Sequence, residues 1–545
     1  MTYRVLVTDE IDRDGLDLLQ AVPEFAVEEV PTLPLNELAE VIGNYDAFVG
    51  RSATKLPASV LEKATKLRVI GRAGVGTDNI DIPAATQLGI AIINAPAGNT
   101  IAVAELFFGE LIGLVRHLPR AAQSMKAGRW DRSDLLGTEL RGRNLGIIGL
   151  GRIGSEVAQR ARAFGMNLSG YDPYVTDERF DLLRVSRCRN LDDLLRSSNV
   201  VTIHTPLTAE TKGLIGAREL GMMKNDAIIA NLARGGIIDE DALCVALNEK
   251  TIAAAILDVF AQEPLGPDST LRAMDNVLLT PHLGASTAEG QRNVAVDVCA
   301  AVRDALLQGE LSRAINVVGG IDGRWNEIRP AIVLVRRMAS IARAILADRG
   351  ARAVDAVSLR VGRDLADAGN LLVSAAAAGA LDSITDTVRL NLVNARSLAE
   401  NRGIALSVTT AAAHDPDNGA HIVIRSGNET ATVAGVAPAG SSPRVTRIGD
   451  FIVDVSPRRT LLVLTNDDVP GVIGRVGTLL GDAGVNIAEY HQARLSEGGE
   501  ALAAVSVDGA ITEEVRQRLL SLPAVRSATV VRLSDLDPAG EQAWT

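Results

Sequence analysis

The sequence predicts an α/β chain with two successive doubly wound parallel sheets, followed by an α+β region and a small βαββαβ unit. Two alternating series carry the first part of this prediction. Between residues 3 and 98, Val/Ile-rich runs such as YRVLVTD and LRVIGRAG alternate with helix-like segments, and a second such series begins at Leu145 and ends in NVLLTPH. Short apolar runs alternating with helices are typical of parallel sheets with crossover helices.

The length, composition and net charge of the chain narrow the class of protein. At 545 residues, roughly three or four domains are expected. Aromatic residues make up only 3% of the chain, so the cores must be built from Ala, Val, Leu and Ile. A net charge of -12 argues against a nucleic-acid surface as the main function.

The cysteines and the N-terminal segment favour a cytoplasmic protein. Cys188, Cys244 and Cys299 show neither metal-ligand spacing nor an even disulfide framework, so we expect free thiols and no metal site. The N-terminal MTYRVLVTDEIDRDGLDLL predicts a strand running into a helix rather than a secretory signal, and no run is long enough for a membrane helix.

The connection between the two sheets is predicted to be a single long helix. NTIAVAELFFGELIGLVRHLPRAAQSMKAG offers Asn99 or Thr100 as an N-cap and Gly128 as a stop.

The second sheet opens with a dinucleotide-binding fingerprint. LGIIGLGRIGSEV places Gly149, Gly151 and Gly154 directly after a strand and before a helix. These glycines permit a tight turn, a close approach to a pyrophosphate and close helix–strand packing, while the helix N-terminus favours phosphate. Asp172 ends the next strand about 20 residues later, where a carboxylate accepts from ribose hydroxyls and repels a 2′-phosphate. The pattern predicts a Rossmann-like domain that binds NAD rather than NADP.

Three polar side chains follow later strands of this sheet. Arg234 in NLARGGIIDE, Glu263 in DVFAQEP and His282 in PHLGAST all lie at predicted carboxyl ends of strands, where the ligand crevice of such folds opens. Taken alone, each is as well explained by an ordinary salt bridge, helix cap or local hydrogen bond. Together they suit oxidation of a 2-hydroxy acid: histidine as base, glutamate as its partner and arginine as carboxylate clamp.

These motifs carry a family resemblance. The set GLGRIG, NLARGGIIDE, DVFAQEP and PHLGAST resembles the D-isomer-specific 2-hydroxyacid dehydrogenases, and GRSATK with GRAGVGTDNID resembles their D-3-phosphoglycerate dehydrogenase branch in its long form. The resemblance implies that Arg234, Glu263 and His282 are catalytic. It also implies a substrate-binding domain at 1–98 and 283–317, an NAD-binding domain at 99–282, a regulatory domain at 318–452 and an ACT domain at 453–545.

The resemblance implies binding residues as well. Those expected beside the cofactor, besides the three glycines, Asp172, Arg234 and His282, are Val75, Arg152, Ile153, Thr205, Leu232, Ala233, Asp258, Leu283, Gly284 and Ala285. Arg51, Ser52 and Arg72 would meet the substrate's phosphate and carboxylate, and Arg132 is a further candidate that acts from a partner subunit.

The C-terminal segment resembles the serine-binding element of ACT domains. In LTNDDVPGVIGRVGTLLGDAGVNIAEY, Asn466, Asp468 and Asn486 would hold the amino acid across a subunit interface. Relatives often carry a larger ring-bearing side chain where Asn466 stands, which bears on affinity rather than on the domain assignment.

The implied function is NAD-dependent oxidation of D-3-phosphoglycerate to 3-phosphohydroxypyruvate, the first step of the phosphorylated route to L-serine. The implied enzyme is a cytoplasmic homotetramer with L-serine as feedback effector. Two alternatives stay open at this point: another D-2-hydroxyacid dehydrogenase or hydroxypyruvate reductase, and a non-enzymatic NADH-sensing binding protein.

Overall fold

The chain folds into two compact units. The computed structural model describes residues 2–319, 323–351, 353–382, 389–411, 416–438 and 441–533. One unit comprises the residues up to Asn94 together with those from Val298 onward, and the other comprises Ala95–Asp297. The four-domain division drawn from the sequence stays a prediction in its boundaries.

The N-terminal part of the first unit is a five-stranded parallel sheet. Its strands are β1 (Tyr3–Val7), β2 (Phe25–Glu29), β3 (Ala47–Gly50), β4 (Val69–Arg72) and β5 (Ala91–Asn94), and the connecting helices are α1 (Arg13–Gln20), α2 (Leu35–Val41), α3 (Ala58–Leu61) and α4 (Ile82–Gln87), with a 3-10 turn at Ile42–Asn44. The strand order β2-β1-β3-β4-β5 reverses direction between β1 and β3. In open α/β sheets the ligand crevice lies at such a reversal, beyond the carboxyl ends of the strands.

The second unit holds a seven-stranded parallel sheet. Its elements are α5 (Thr100–Val115), α6 (Leu118–Lys126), a 3-10 turn (Arg132–Leu135), β6 (Asn144–Ile148), α7 (Arg152–Ala163), β7 (Asn167–Tyr171), α8 (Asp177–Leu183), β8 (Ser186–Arg187), α9 (Leu191–Ser197), β9 (Val200–Ile203), α10 (Ala217–Leu220), β10 (Ile228–Asn231), α11 (Glu240–Asn248), β11 (Ala254–Leu257), a 3-10 turn (Thr270–Ala273), β12 (Val277–Leu279) and the start of α12 (Ala288–Gln308). The order β12-β11-β10-β9-β6-β7-β8 places the reversal between β6 and β9. Both parallel sheets confirm the predicted fold class.

The single long helix predicted from residue 100 to Gly128 is wrong. The helix ends at Val115, and a second one begins at Leu118. His117 adopts a left-handed φ of 54°, which an α-helix does not accommodate. Pro119 lies in the first turn of α6, where its missing N–H costs nothing. The apolar residues recur on both sides of His117, so the sequence pattern did not predict this break between the two helices.

The described residues between 323 and 455 form an α+β region with a mainly antiparallel sheet. Its elements are α13 (Trp325–Asp348), β13 (Ala356–Val361), a 3-10 turn (Arg363–Leu365), α14 (Gly369–Leu381), α15 (Ala395–Asn401), β14 (Ala405–Thr410), β15 (Gly419–Ser426), β16 (Glu429–Val436), β17 (Arg444–Ile448) and β18 (Phe451–Val455). The sheet order is β14-β13-β15-β16-β17-β18, with only β13 and β14 parallel. A Cβ on Gly379 would lie 2.0 Å from the Arg336 carbonyl oxygen, so this glycine lets α14 approach α13 closely.

The C-terminal part has the predicted βαββαβ order. It consists of β19 (Thr460–Asp467), α16 (Val472–Asp482), β20 (Ile487–Arg494), β21 (Glu500–Val507), α17 (Glu513–Leu520) and β22 (Val525–Arg532). The four strands form an antiparallel sheet in the order β20-β21-β19-β22. Leu462, Val476 and Leu480 are among the fully buried residues between this sheet and its helices.

No helix in the described ranges is long and apolar enough to span a membrane. Nor do His, Cys, Asp and Glu side chains in these ranges form a group of three or more that could hold a metal ion.

Candidate active site

The glycine turn after β6 has the geometry of a dinucleotide cradle. Gly149 takes a φ of 90°, which side chains rarely allow. A Cβ on Gly154 would lie 2.1 Å from the Gly149 carbonyl oxygen. Any larger residue at position 154 would therefore prevent the helix that begins at Arg152 from packing this closely against the turn. A Cβ on Gly151 would meet no protein atom within 4 Å. Since α7 begins at Arg152 without a side-chain cap, its first N–H groups are available to a phosphate.

Two further features fit a dinucleotide at this turn. Asp172 directly follows β7, and its carboxylate accepts from the backbone N–H of Leu150 at 2.9 Å and of Tyr174 at 2.9 Å, which orients it toward the turn. The Thr205 hydroxyl, just past β9, is buried and has no hydrogen-bond partner among the described residues. A bound ligand with polar groups would satisfy that hydroxyl. These residues therefore fit the cofactor predicted from the sequence.

His282 and Glu263 form a hydrogen-bonded pair in the second unit. Strand β12 ends at Leu279, and the Nδ1 of His282 lies 2.8 Å from Glu263 Oε2. The other oxygen of Glu263 accepts from the Phe260 backbone N–H at 3.0 Å. Because a carboxylate can only accept, Nδ1 carries the hydrogen, and Nε2 is the nitrogen that exchanges a proton. The histidine side chain is 48% exposed, so its ring is accessible.

Arg234 follows strand β10, which lies next to β11 in the sheet. Asn231 shapes this turn, since its amide donates to the Arg234 carbonyl at 2.8 Å and its oxygen accepts from the Ala233 N–H at 3.1 Å. One guanidinium nitrogen of Arg234 donates to the Ala233 carbonyl at 2.7 Å. Leu232, directly after the strand, is buried. The three predicted catalytic residues thus follow β10, β11 and β12, which are adjacent in the sheet.

Asp258 anchors the segment that carries His282. Its buried carboxylate accepts from the backbone N–H groups of Leu283 at 2.6 Å and Gly284 at 2.9 Å, while its carbonyl accepts from the His282 N–H at 2.9 Å. Burial raises the pKa of Asp258, and the hydrogen bonds from Leu283, Thr280 and Gly284 oppose that rise. The structure therefore shows Asp258 supporting the 282–284 backbone, and its predicted contact with the cofactor stays a prediction.

His204 is a second histidine near the reversal between β6 and β9. Its ring packs edge-on against Phe107, and desolvation lowers its pKa to about 3. A histidine that stays neutral at physiological pH does not carry a proton in a catalytic cycle. Of the two histidines that follow strands of this sheet, His282 is therefore the candidate acid/base.

The predicted substrate-binding residues Arg51, Ser52 and Arg72 lie in the first unit, as does Val75. Arg51 and Ser52 follow β3, and Arg72 ends β4. Val75 accepts a hydrogen bond from Asn94 through its carbonyl at 2.5 Å. Arg132, in contrast, is exposed on the 3-10 turn of the second unit, between the exposed side chains of Trp130 and Leu136.

The predicted effector-binding residues are all hydrogen-bonded within the C-terminal part. Asn466 is only 1% exposed and bonds the Asp467 carbonyl and Gln492. Asp468 accepts from Arg494 at 3.1 Å, which lowers the pKa of that carboxyl, and Asn486 donates to Asp508 at 2.6 Å. An amino-acid ligand would have to replace some of these bonds.

Sequence reasoning missed three supporting residues. Glu110 on α5 contacts Thr280, while Asp9 and Asn79 bond the residues after β3. The position of Asp9 directly after β1 was a usable signal, because polar side chains at the carboxyl ends of parallel strands line the crevice. Glu110 gave no such signal, because it lies within an apolar helix and not at the end of a strand.

Comparison with known proteins identifies the family to which the chain is similar. The sequence profile of the D-isomer specific 2-hydroxyacid dehydrogenase NAD binding domain matches residues 108–284, and the ACT domain profile matches residues 459–524. The chain is similar to D-3-phosphoglycerate dehydrogenase of Synechocystis sp., at 39% identity over 97% of this chain and 95% of the relative. It is 38% identical to D-3-phosphoglycerate dehydrogenase of Methanocaldococcus jannaschii, over 97% of this chain and 100% of the relative.

Solved structures match the dehydrogenase part. A glyoxylate reductase from Paecilomyes thermophila aligns with a TM-score of 0.53 and 32% identity, covering 58% of this chain and 98% of that one. The glycine cradle, the His282–Glu263 pair and this similarity over nearly the full length lead to one assignment. The chain belongs to the D-3-phosphoglycerate dehydrogenase family of D-isomer-specific 2-hydroxyacid dehydrogenases.

Proposed function

We propose that this protein oxidises D-3-phosphoglycerate to 3-phosphohydroxypyruvate with NAD, the first step of the phosphorylated route to L-serine. The observation that carries the proposal is the 2.8 Å His282–Glu263 pair beyond β12, in an NAD-binding domain of this family. Near-full-length similarity to D-3-phosphoglycerate dehydrogenases supports the substrate.

His282 acts as the base in this proposal. With Nδ1 held by Glu263, Nε2 takes the proton of the substrate's C2 hydroxyl, and the glutamate stabilises the resulting imidazolium. NAD, when bound at the glycine cradle, supplies the acceptor for the C2 hydrogen as hydride. Arg234 holds the substrate carboxylate, because a guanidinium can donate two parallel hydrogen bonds to it.

The phosphate is assigned to cations of the first unit. Arg51 is half-buried beyond β3, and within the described ranges no side chain pairs with its guanidinium. Such a cation is suited to a second anionic group on the substrate. Arg72 is assigned beside it, and Arg132 is assigned as an additional contact from a partner subunit.

One assay separates this function from its alternatives. NADH oxidation is followed with 3-phosphohydroxypyruvate, hydroxypyruvate and pyruvate, each with and without L-serine. Preference for the phosphorylated keto acid supports the proposal, whereas preference for hydroxypyruvate indicates a hydroxypyruvate reductase. NADH binding without turnover of any keto acid would refute an enzymatic role and indicate an NADH sensor.

We also propose that L-serine inhibits the enzyme through the C-terminal domain. The ACT domain match at residues 459–524 supports an amino-acid effector. Asn466, Asp468 and Asn486 are the proposed contacts, with Asp468 and Asn486 lying in exposed or half-exposed positions. Inhibition that survives substitution of Asn486 would refute this site.

The proposed assembly is a cytoplasmic homotetramer. Trp130 and Leu136, which are 78% and 88% exposed, are the apolar side chains that we assign to a subunit contact. Free thiols at Cys188, Cys244 and Cys299 suit a reducing compartment. Sedimentation of the full chain with and without Trp130→Ala tests the assembly: a single tetrameric species weakened by the substitution is expected.

A further inference from the structure

The loop after β3 is held on both sides by side chains outside it. The backbone N–H groups of Arg51 and Thr54 donate to Asp9 Oδ2 at 2.8 and 3.0 Å. The carbonyls of the same two residues accept from the Asn79 amide at 3.0 and 2.7 Å. Both ends of the Arg51–Thr54 loop are thereby fixed through their own backbone.

Asp9 uses its full capacity as an acceptor. Besides the two backbone donors on Oδ2, its Oδ1 accepts from the hydroxyls of Thr32 at 2.6 Å and Thr54 at 2.7 Å. Burial raises the pKa of Asp9, but these four donors outweigh it and hold the pKa below its usual value. An asparagine could keep the two backbone bonds with its carbonyl oxygen while its amide donates to the two hydroxyls, whereas an alanine offers no acceptor to any of the four donors.

The chain also accepts an unfavourable conformation to place this carboxylate. Asp9 has a φ of 67°, in the left-handed region that residues other than glycine rarely occupy. It follows β1, and the loop follows β3, so the clamp lies at the reversal of strand order in the sheet. This is where open α/β sheets place their ligands.

We propose that Asp9, with Asn79, is a positioning residue that fixes the Arg51–Thr54 loop and thereby determines selectivity for a phosphorylated substrate. The proposal rests on the proposed function, in which Arg51 meets the substrate phosphate. A preorganised loop binds an anion without first losing conformational freedom.

The sign of the effect distinguishes positioning from simple electrostatics. Asp9 carries a negative charge close to the residues assigned to an anionic ligand. If only charge mattered, Asp9→Ala would remove repulsion and lower KM for the phosphorylated substrate. If Asp9 positions the loop, the same substitution raises KM.

The experiment uses the full chain and three variants: Asp9→Ala, Asn79→Ala and, as a matched control, Asp12→Asn. Asp12 is the N-cap of α1 and accepts from the Asp14 N–H at 3.0 Å, so it provides the same charge change three residues away. Since bonds to a charged acceptor are lost, KM for 3-phosphohydroxypyruvate is expected to rise about tenfold or more in Asp9→Ala. A rise in the same direction is expected in Asn79→Ala.

Other parameters separate this result from general damage. The kcat, the KM for NADH and the kcat/KM for hydroxypyruvate should stay within about twofold of wild type, and Asp12→Asn should change none of them. An unchanged or lowered KM for the phosphorylated keto acid in Asp9→Ala overturns the proposal.

Hydrogen exchange tests the clamp without reference to catalysis. The Arg51 and Thr54 amides should exchange faster in Asp9→Ala and at the wild-type rate in Asp12→Asn, since only the first loses their acceptor. Unchanged exchange overturns the clamp. A wild-type protein inactive on the phosphorylated substrate refutes the proposed function and with it the substrate role, while the exchange rates still decide the clamp.

Discussion

Glu110→Gln is expected to make the second unit less sensitive to pH. Glu110 is 5% exposed, and its Oε1 lies 2.6 Å from the Thr280 hydroxyl, which in turn lies 2.7 Å from Asp258 Oδ1. A hydroxyl has one hydrogen and can donate to only one of two carboxylates, so this arrangement favours a proton on one of the two carboxyls. Asp258 accepts two backbone N–H bonds and is the ionised member, which assigns the proton to Glu110.

The size of the effect follows from the pKa. Burial raises the pKa of Glu110 from 4.5 to about 7, with the charge of Asp258 adding to the rise and the Thr280 hydrogen bond opposing it. Below about pH 4.5 the carboxyl is protonated in both the folded and unfolded chain. As the pH rises toward 7, only the unfolded chain releases this proton, so wild type loses roughly 3 kcal/mol of stability from Glu110. Glutamine does not titrate and avoids that loss.

Hydrogen exchange of the full chain measures this difference. Peptides covering α5 and β12 report the free energy of opening, and comparing variants at the same pH cancels the intrinsic pH dependence of exchange. Relative to wild type, Glu110→Gln should gain most of the roughly 3 kcal/mol between about pH 5 and pH 8. Glu105→Gln is the matched control, because Glu105 lies on the same helix with its side chain 64% exposed.

Two results would refute the reasoning. A stability difference between Glu110→Gln and wild type that is the same at both pH values would show that Glu110 does not hold a proton in the folded chain. An equal pH-dependent gain in Glu105→Gln would show that the effect reflects net charge rather than the buried cluster.

Three further predictions concern catalysis, cofactor binding and regulation. His282→Ala should lower kcat by on the order of 10²–10⁴ in steady-state assays, and near-wild-type turnover would remove it from the mechanism. Gly151→Ala should weaken NADH binding in a fluorescence titration without changing thermal stability, because its Cβ meets no protein atom, whereas Gly154→Ala should lower both. Asn486→Ala should raise the L-serine concentration for half-inhibition at unchanged kcat; unaltered inhibition would exclude this side chain from the effector site.

Much of the fold was predictable from local pattern. Runs such as YRVLVTD and LGIIGLG predict buried parallel strands, because each is a short stretch of β-branched and other apolar residues that is followed by turn-forming residues. The glycines at 149, 151 and 154 predict the cradle because steric contact admits no larger residue at two of these positions. The break at His117 was not predictable in the same way, since the apolar periodicity runs through it.

The catalytic candidates were predictable because each follows a strand of one parallel sheet. Arg234, Glu263 and His282 follow adjacent strands in the sheet. The sequence by itself determined that each of them comes after a strand. Only the tertiary structure decided which side chains support the sites. Asp9 meets a loop 42 residues away, and Glu110 meets Thr280 across 170 residues. Hydrogen bonds depend on distances of about 3 Å between atoms, and strand packing, rather than spacing along the chain, sets those distances.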